Sequence, residues 1–132
     1  MPGKLFITAT PIGNYEDITL RAIKVLNSVD FIVCEDLKEA RRLLSKLDLK
    51  KELVTLNEHD EAENTPEIME RLANGESAAL ISDCGTPMIA DPGHHLLDNA
   101  LAFGIDIIPV PGVSSLTTAL SISALHAEKF YY

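Results

Sequence analysis

Residues able to bind or catalyse fall in five short clusters. These are Ala9-Thr10-Pro11-Ile12-Gly13-Asn14, Glu35-Asp36, Asn57-Glu58-His59-Asp60-Glu61, Asp83-Cys84-Gly85-Thr86-Pro87 and Pro111-Gly112-Val113-Ser114-Ser115. Their hydroxyls and glycine backbones can hydrogen-bond a small ligand, and their carboxylates or His59 can accept a proton. No metal cage is expected. His94 and His95 are adjacent, so on a helix they diverge and cannot form an i, i+4 ligand pair. Cys34 and Cys84 lack ligand or redox spacing and read as small buried residues of a reducing compartment. The sequence has no G-x-x-x-x-G-K-[ST] phosphate loop and no G-x-S-x-G elbow, and no G-x-G-x-x-G follows the first strand. What remains suits a cofactor that carries its own reactive group, with the protein supplying orientation and hydrogen bonds.

Each cluster also has a plainer reading. Pro11-Ile12-Gly13 suits a tight turn, Glu35-Asp36 a solvated helix entry, and His59 a surface position in an acidic loop. Asp83 resists this, because a carboxylate directly after an apolar strand must find partners.

The elements that position these clusters alternate. Leu5–Thr8 reads as the first strand, and Asp17 as the cap of a helix with Ile18, Ala22, Val25, Leu26 and Val29 on one face. Asp30–Cys34 is the second strand, followed by a helix over Lys38–Leu47, and Leu53–Leu56 is the third strand. Thr65-Pro66 predicts a helix start that ends at Asn74-Gly75. Ser77–Ser82 contains a fourth strand, apolar enough to be covered on both faces. Asp91-Pro92-Gly93 opens a helix ending at Phe103-Gly104; Ile105–Val110 is the fifth strand and Val113–Leu125 the last helix. This pattern predicts an α/β fold, a doubly wound and mostly parallel five-stranded sheet with right-handed crossovers. All five clusters then lie at the carboxyl ends of strands, where such sheets bind ligands.

Length and composition agree with that fold. A chain of 132 residues is one domain, and 46% apolar residues can form a core. The net charge of −9 argues against a generic binder of nucleic acid or anionic membrane. No apolar run reaches the roughly 18 residues of a membrane span, and the amino terminus lacks a signal-type apolar region. A cytoplasmic location is expected. Phe130-Tyr131-Tyr132 reads as the beginning of another strand, so residues 127–132 are expected to start the connection to a second domain, with 1–126 forming the first.

Several motifs are shared with a known family. Ala9-Thr10-Pro11-Ile12-Gly13-Asn14 with Glu16–Ala22 resembles the opening of the tetrapyrrole methylase superfamily, in its ribosomal RNA branch. Ser82–Gly93 is similar to that branch's second signature, and Val110–Ser115 to its third. Cys34-Glu35-Asp36 and Glu58-His59 resemble two shorter ones. The resemblance implies S-adenosylmethionine as methyl donor, and implies that this chain is the first of the two α/β domains of a class III methyltransferase. By position, Pro11, Gly85, Thr86, Ile89, Ser114 and Ser115 would contact the cofactor, with Asp83 supporting the second loop. Thr86 stands where the tetrapyrrole branch has aspartate. Leu37-Lys38 departs from that branch's usual Thr-Arg, and Asn57 from a frequent histidine.

The implied reaction is methylation of the ribose 2′-hydroxyl of a cytidine in 16S rRNA. It needs close in-line placement and removal of one proton. Glu35, Asp36 and His59 are candidate acceptors, and nothing in the sequence selects among them. The expected partner is 16S rRNA or the small ribosomal subunit, with a homodimer as the assembly. Arg41, Arg42 and Lys46 are local candidates for phosphate contacts. Two alternatives are a corrin-precursor C-methyltransferase and, from another class, a receiver-like phospho-acceptor domain. The latter is disfavoured because Glu35-Asp36 follows the second strand rather than the first.

Overall fold

A computed structural model describes residues 1–88, 93–125, 128, 129 and 131. Among them, β1 (Lys4–Thr8), β2 (Phe31–Cys34), β3 (Glu52–Thr55), β4 (Ala78–Leu80) and β5 (Asp106–Val110) form one sheet in the order β3-β2-β4-β1-β5. Every pair is parallel. The helices are α1 (Leu20–Ser28), α2 (Leu37–Lys46), α3 (Glu61–Ala73), α4 (His94–Ala102) and α5 (Ser115–Ile122).

Strand order dictates which face each helix covers. The connections from β1 to β2 and from β2 to β3 run toward the β3 edge, while those from β3 to β4 and from β4 to β5 run back. Right-handed crossovers in opposite directions put α1 and α2 on one face and α3 and α4 on the other. The core divides accordingly. Ile32, Cys34 and Ala79 pack with Leu26, Leu43 and Leu44 of α1 and α2. Phe31, Val33 and Leu80 pack with Ile68, Leu72 and Leu96 of α3 and α4. Adjacent residues of β2 thus serve opposite faces, as a period of two requires, and truncating a buried leucine such as Leu26 to alanine costs about 2–5 kcal/mol. Pro109 lacks an N–H and is tolerated because β5 is an edge strand.

Four local expectations change. Asp17 ends a short 3₁₀ turn (Tyr15–Asp17), and Thr19 caps α1 instead, its Oγ1 accepting from the Ala22 N–H at 3.0 Å. α3 begins at Glu61, not at Thr65. The Asp60 carboxylate accepts from Thr55 Oγ1 and from the Asn57 N–H, each at 2.7 Å, and this turn starts the helix early. Pro66 therefore lies inside the helix and leaves the Ala62 carbonyl without its usual donor, while the Thr65 hydroxyl donates to the Glu61 carbonyl. Cys84 is exposed, because the strand ends at Leu80 and the chain has already left the core; Cys34 is buried as expected. The last helix is shorter than Val113–Leu125, and none of its residues is buried. Ile89, Asp91, Pro92, Phe130 and Tyr132 lie outside the described residues.

Candidate active site

The loops after β1 and β4 leave neighbouring strands for opposite faces, which makes their junction the switch point where open α/β sheets bind ligands. Three loops are locked together there. Thr10 and Gly85 form an isolated antiparallel bridge, with N–H to carbonyl distances of 2.9 and 3.0 Å. The Ser82 hydroxyl donates to the Cys84 and Gly85 carbonyls at 3.0 and 3.1 Å. Thr86 Oγ1 donates to the Val113 carbonyl at 3.0 Å and ties in the loop after β5. Gly112 closes this seam: a Cβ there would stand 2.9 Å from the Ala9 Cβ.

Beside the seam is a cavity of about 240 Å³ between the β1 loop, α2 and the β4 loop. Thr10, Pro11, Tyr15, Glu39, Ser82 and Asp83 are among its lining residues, which include two carboxylates and neither lysine nor arginine.

The residues singled out from the sequence divide into three groups. Pro11, which is buried, and Asp83, which is exposed, line the cavity. Gly85 and the half-buried Thr86 form the seam. Ser114 and Ser115 stand at the head of α5, where Ser114 is the N-cap residue without a side-chain capping bond. Glu35, Asp36 and His59 do not line the cavity. Asp36 caps α2, its Oδ1 accepting from the Lys38 N–H at 2.8 Å. Glu35 is half-buried at the end of β2. His59 follows the edge strand β3 and is exposed, with Nε2 3.5 Å from Glu58 Oε1.

Much of the third cluster holds structure. Asn57 Oδ1 accepts from the His59 and Asp60 N–H groups. Glu61 Oε1 accepts from the Gly93 and His95 N–H groups, both at 3.1 Å, and so caps α4 from α3. Tyr15 and Glu39 were not recognised in the sequence as cavity residues. Tyr15 is a lone aromatic in a polar loop, a usable signal; Glu39 looks like any exposed helical carboxylate.

Burial, reinforced by the negative charges of Asp83 and Asp36, pushes the Cys34 thiol up to about 12, which leaves it inert. At the opposite edge of the sheet, Arg71 stacks 3.8 Å over the Phe31 ring and binds Glu52 and Glu76, a structural staple remote from the cavity.

Comparison with known proteins places this geometry. Residues 4–131 match the family of tetrapyrrole (corrin/porphyrin) methylases. The chain is 44% identical over 130 residues to the ribosomal RNA small subunit methyltransferase I of Pseudomonas aeruginosa, covering 98% of this chain and 46% of that protein. It is 43% identical to the protein of the same name from Thermotoga maritima, covering 98% and 59%. The chain thus spans about half the length of the curated relatives it matches. In fold it is similar to the crystal structure of a conserved hypothetical protein from Aeropyrum pernix, with a TM-score of 0.80 at 21% identity, covering 99% of this chain and 46% of that one. The match over nearly the whole chain displaces the receiver-like alternative: the chain belongs to the tetrapyrrole methylase family.

Proposed function

We propose that this chain forms the first domain of an S-adenosylmethionine-dependent methyltransferase acting on the ribose 2′-hydroxyl of a cytidine in 16S rRNA. The observation that carries the reading is the 44% identity over 130 residues to a small-subunit rRNA methyltransferase, a span that includes the three loops that meet at the switch point. The uroporphyrin-III C-methyltransferase of Thermus thermophilus, a tetrapyrrole enzyme, is 25% identical.

The residues fit the cofactor. A site lined by Asp83 and Glu39 with no cation suits a sulfonium, and the close approach of Gly112 to Ala9 leaves backbone rather than side chain at the seam. Gly85, Thr86, Ser114 and Ser115 would hold the cofactor, with Pro11 beside it and Asp83 supporting the loop; Ile89 belongs to the same signature. When bound, S-adenosylmethionine supplies an already activated methyl group. The cavity is smaller than the roughly 300–1,000 Å³ of typical cofactor sites. It would take the sulfonium end of the cofactor and the ribose to be methylated, with the rest of the site supplied by a second domain reached through residues 127–132.

Such a reaction also requires a proton acceptor near the ribose. Asp83 and Glu39 line the cavity; Glu35 and Asp36 lie one strand away, at the end of β2, and His59 two strands away. α5, with no buried residue, offers a surface for the second domain or for a second copy in a homodimer. The working location would be the cytoplasm, with the small ribosomal subunit as partner; among the described residues no helix is long and apolar enough to cross a membrane.

The test is a chimera in which this chain replaces the aligned 130 residues of the Pseudomonas aeruginosa relative. It should transfer tritiated methyl groups to small-subunit rRNA at a cytidine ribose, and an amide NMR titration of the chain with S-adenosylhomocysteine should move Gly85, Thr86, Gly112, Ser114 and Ser115. A folded chimera that binds S-adenosylhomocysteine but methylates a tetrapyrrole and no RNA would overturn the substrate assignment. One that neither binds nor transfers would overturn the whole reading.

A further inference from the structure

The cations of this acidic chain are concentrated in one segment. Six of its 11 lysines and arginines, Lys38, Arg41, Arg42, Lys46, Lys50 and Lys51, fall between residues 37 and 51, against two carboxylates, Glu39 and Asp48. Leu43 and Leu44 turn the inner side of α2 into the core, while Lys38, Arg41, Arg42, Ser45 and Lys46 stand outward at helical spacing. Like charges three and four residues apart repel, so the helix carries a local cost. Among the described residues, only Arg42 of the six is in a salt bridge, with Glu39 at 3.1 Å.

Four of these cations line a shallow groove that shares Tyr15 with the cavity. Tyr15 forms part of the cavity wall and also lines the groove with Lys38, Arg41, Arg42, Ser45 and Lys46. Arg41 and Ser45 extend the lining to Lys50 and Lys51. The Tyr15 ring is held at this junction by Lys46, whose Nζ stands 5.7 Å from the ring centroid, yet the residue remains 40% exposed. Lys38 to Lys46 spans about 12 Å of helix, room for several phosphates of an extended strand.

We infer that the outward face of α2, together with Tyr15, is the track for the single-stranded RNA that flanks the target nucleotide. Lys38, Arg41, Arg42 and Lys46 meet its phosphates, and Tyr15 stacks on the base beside the nucleotide in the cavity. The inference rests on the proposed RNA substrate and identifies where this chain touches it. It also reconciles an RNA substrate with a net charge of −9, because the acidic remainder repels the strand while one groove attracts it. An exposed aromatic at the end of a basic groove is the usual means of holding single strands without reading their sequence.

The test is fluorescence anisotropy of this chain with a labelled ten-nucleotide single-stranded RNA, between 50 and 200 mM salt. R41A/R42A should weaken binding at least about tenfold and lower the salt slope by about 1.4, or about 0.7 per cation removed. Y15A should weaken it about five- to hundredfold, with Y15F restoring most of the loss. The R21A/K24A pair on α1 should bind like the parent, and far-ultraviolet circular dichroism should show every variant folded. Equal losses from the α1 pair, no RNA binding by the parent at 50 mM salt, or α2-dependent binding to anionic vesicles but not to RNA would each overturn the inference. Patch-dependent RNA binding with no methyl transfer by the chimera would overturn the methyltransferase reading alone. Methyl transfer by the chimera undiminished by R41A/R42A would overturn the track alone.

Discussion

Thr10 and Gly85 exchange a reciprocal pair of backbone hydrogen bonds, although 75 residues separate them in the chain. The bridge joins two loops whose strands are neighbours but whose helices lie on opposite faces of the sheet. It fixes the width of the crevice that the topology opens.

Gly85 has φ +82°, a conformation that costs an L side chain about 1–2 kcal/mol, and a Cβ there would stand 3.3 Å from Ile12 Cγ2. Gly85→Ala should lower the urea midpoint correspondingly and weaken S-adenosylhomocysteine binding. Gly85→Asn should be milder, since asparagine tolerates the left-handed region. Equal midpoints for all three proteins would show that the bridge does not depend on this conformation.

Gly112→Ala should push the loop after β5 away from Ala9, through a Cβ contact of 2.9 Å. Ligand affinity should fall, at a stability cost of about 1–3 kcal/mol. Because the clash is with one methyl group, adding Ala9→Gly should recover part of both losses. A double-mutant cycle in chemical denaturation reads this out, and strict additivity would show that the two residues do not press on each other.

Arg71 holds the Glu52 carboxyl below its ordinary range by hydrogen bonding, and Arg71 is itself shifted upward by Glu76 and Glu52. A depressed carboxylate pKa contributes stability above the unfolded value and loses it as pH falls through the folded one. Arg71→Met should therefore cost about 1–2 kcal/mol at pH 7, in which loss of the stacking on Phe31 is included. The gap to the parent should narrow toward pH 3. Urea melts at the two pH values would show it, and a gap independent of pH would assign Arg71 a packing role alone.

Cys84 is exposed and Cys34 is buried, with its thiol pushed up to about 12. Iodoacetamide at pH 8 should modify Cys84 in the native chain and Cys34 only after unfolding, as peptide mass spectrometry can verify. The raised value also means that the contribution of Cys34 to stability is complete below pH 9 and is lost as pH climbs from there toward 12. Modification of Cys34 at the rate of Cys84 would contradict this burial.

The sequence by itself determined the architecture. Short apolar runs such as Phe31–Cys34 and Ala78–Leu80, set between turn residues and helical stretches, read as buried strands. The polar clusters that follow them must share one edge, because parallel strands point their carboxyl ends the same way. The loop motifs were legible for a related reason: glycines and hydroxyls at fixed offsets are local requirements of tight turns and of loops bonded closely to one another, as at Gly85, Ser82 and Thr86. Tertiary structure decided which carboxylates face the cavity. Asp36, Asp60 and Glu61 have the composition of a reactive site yet are engaged in capping and turn formation, while Asp83 and Glu39 line the cavity. Strand order made that choice. It set β4 beside β1 and sent β3, with His59, to the edge, and no local pattern in the chain encodes which strands become neighbours. The same folding brought Tyr15 from one loop against the cations of α2, a pairing that requires two segments more than 20 residues apart to close on each other.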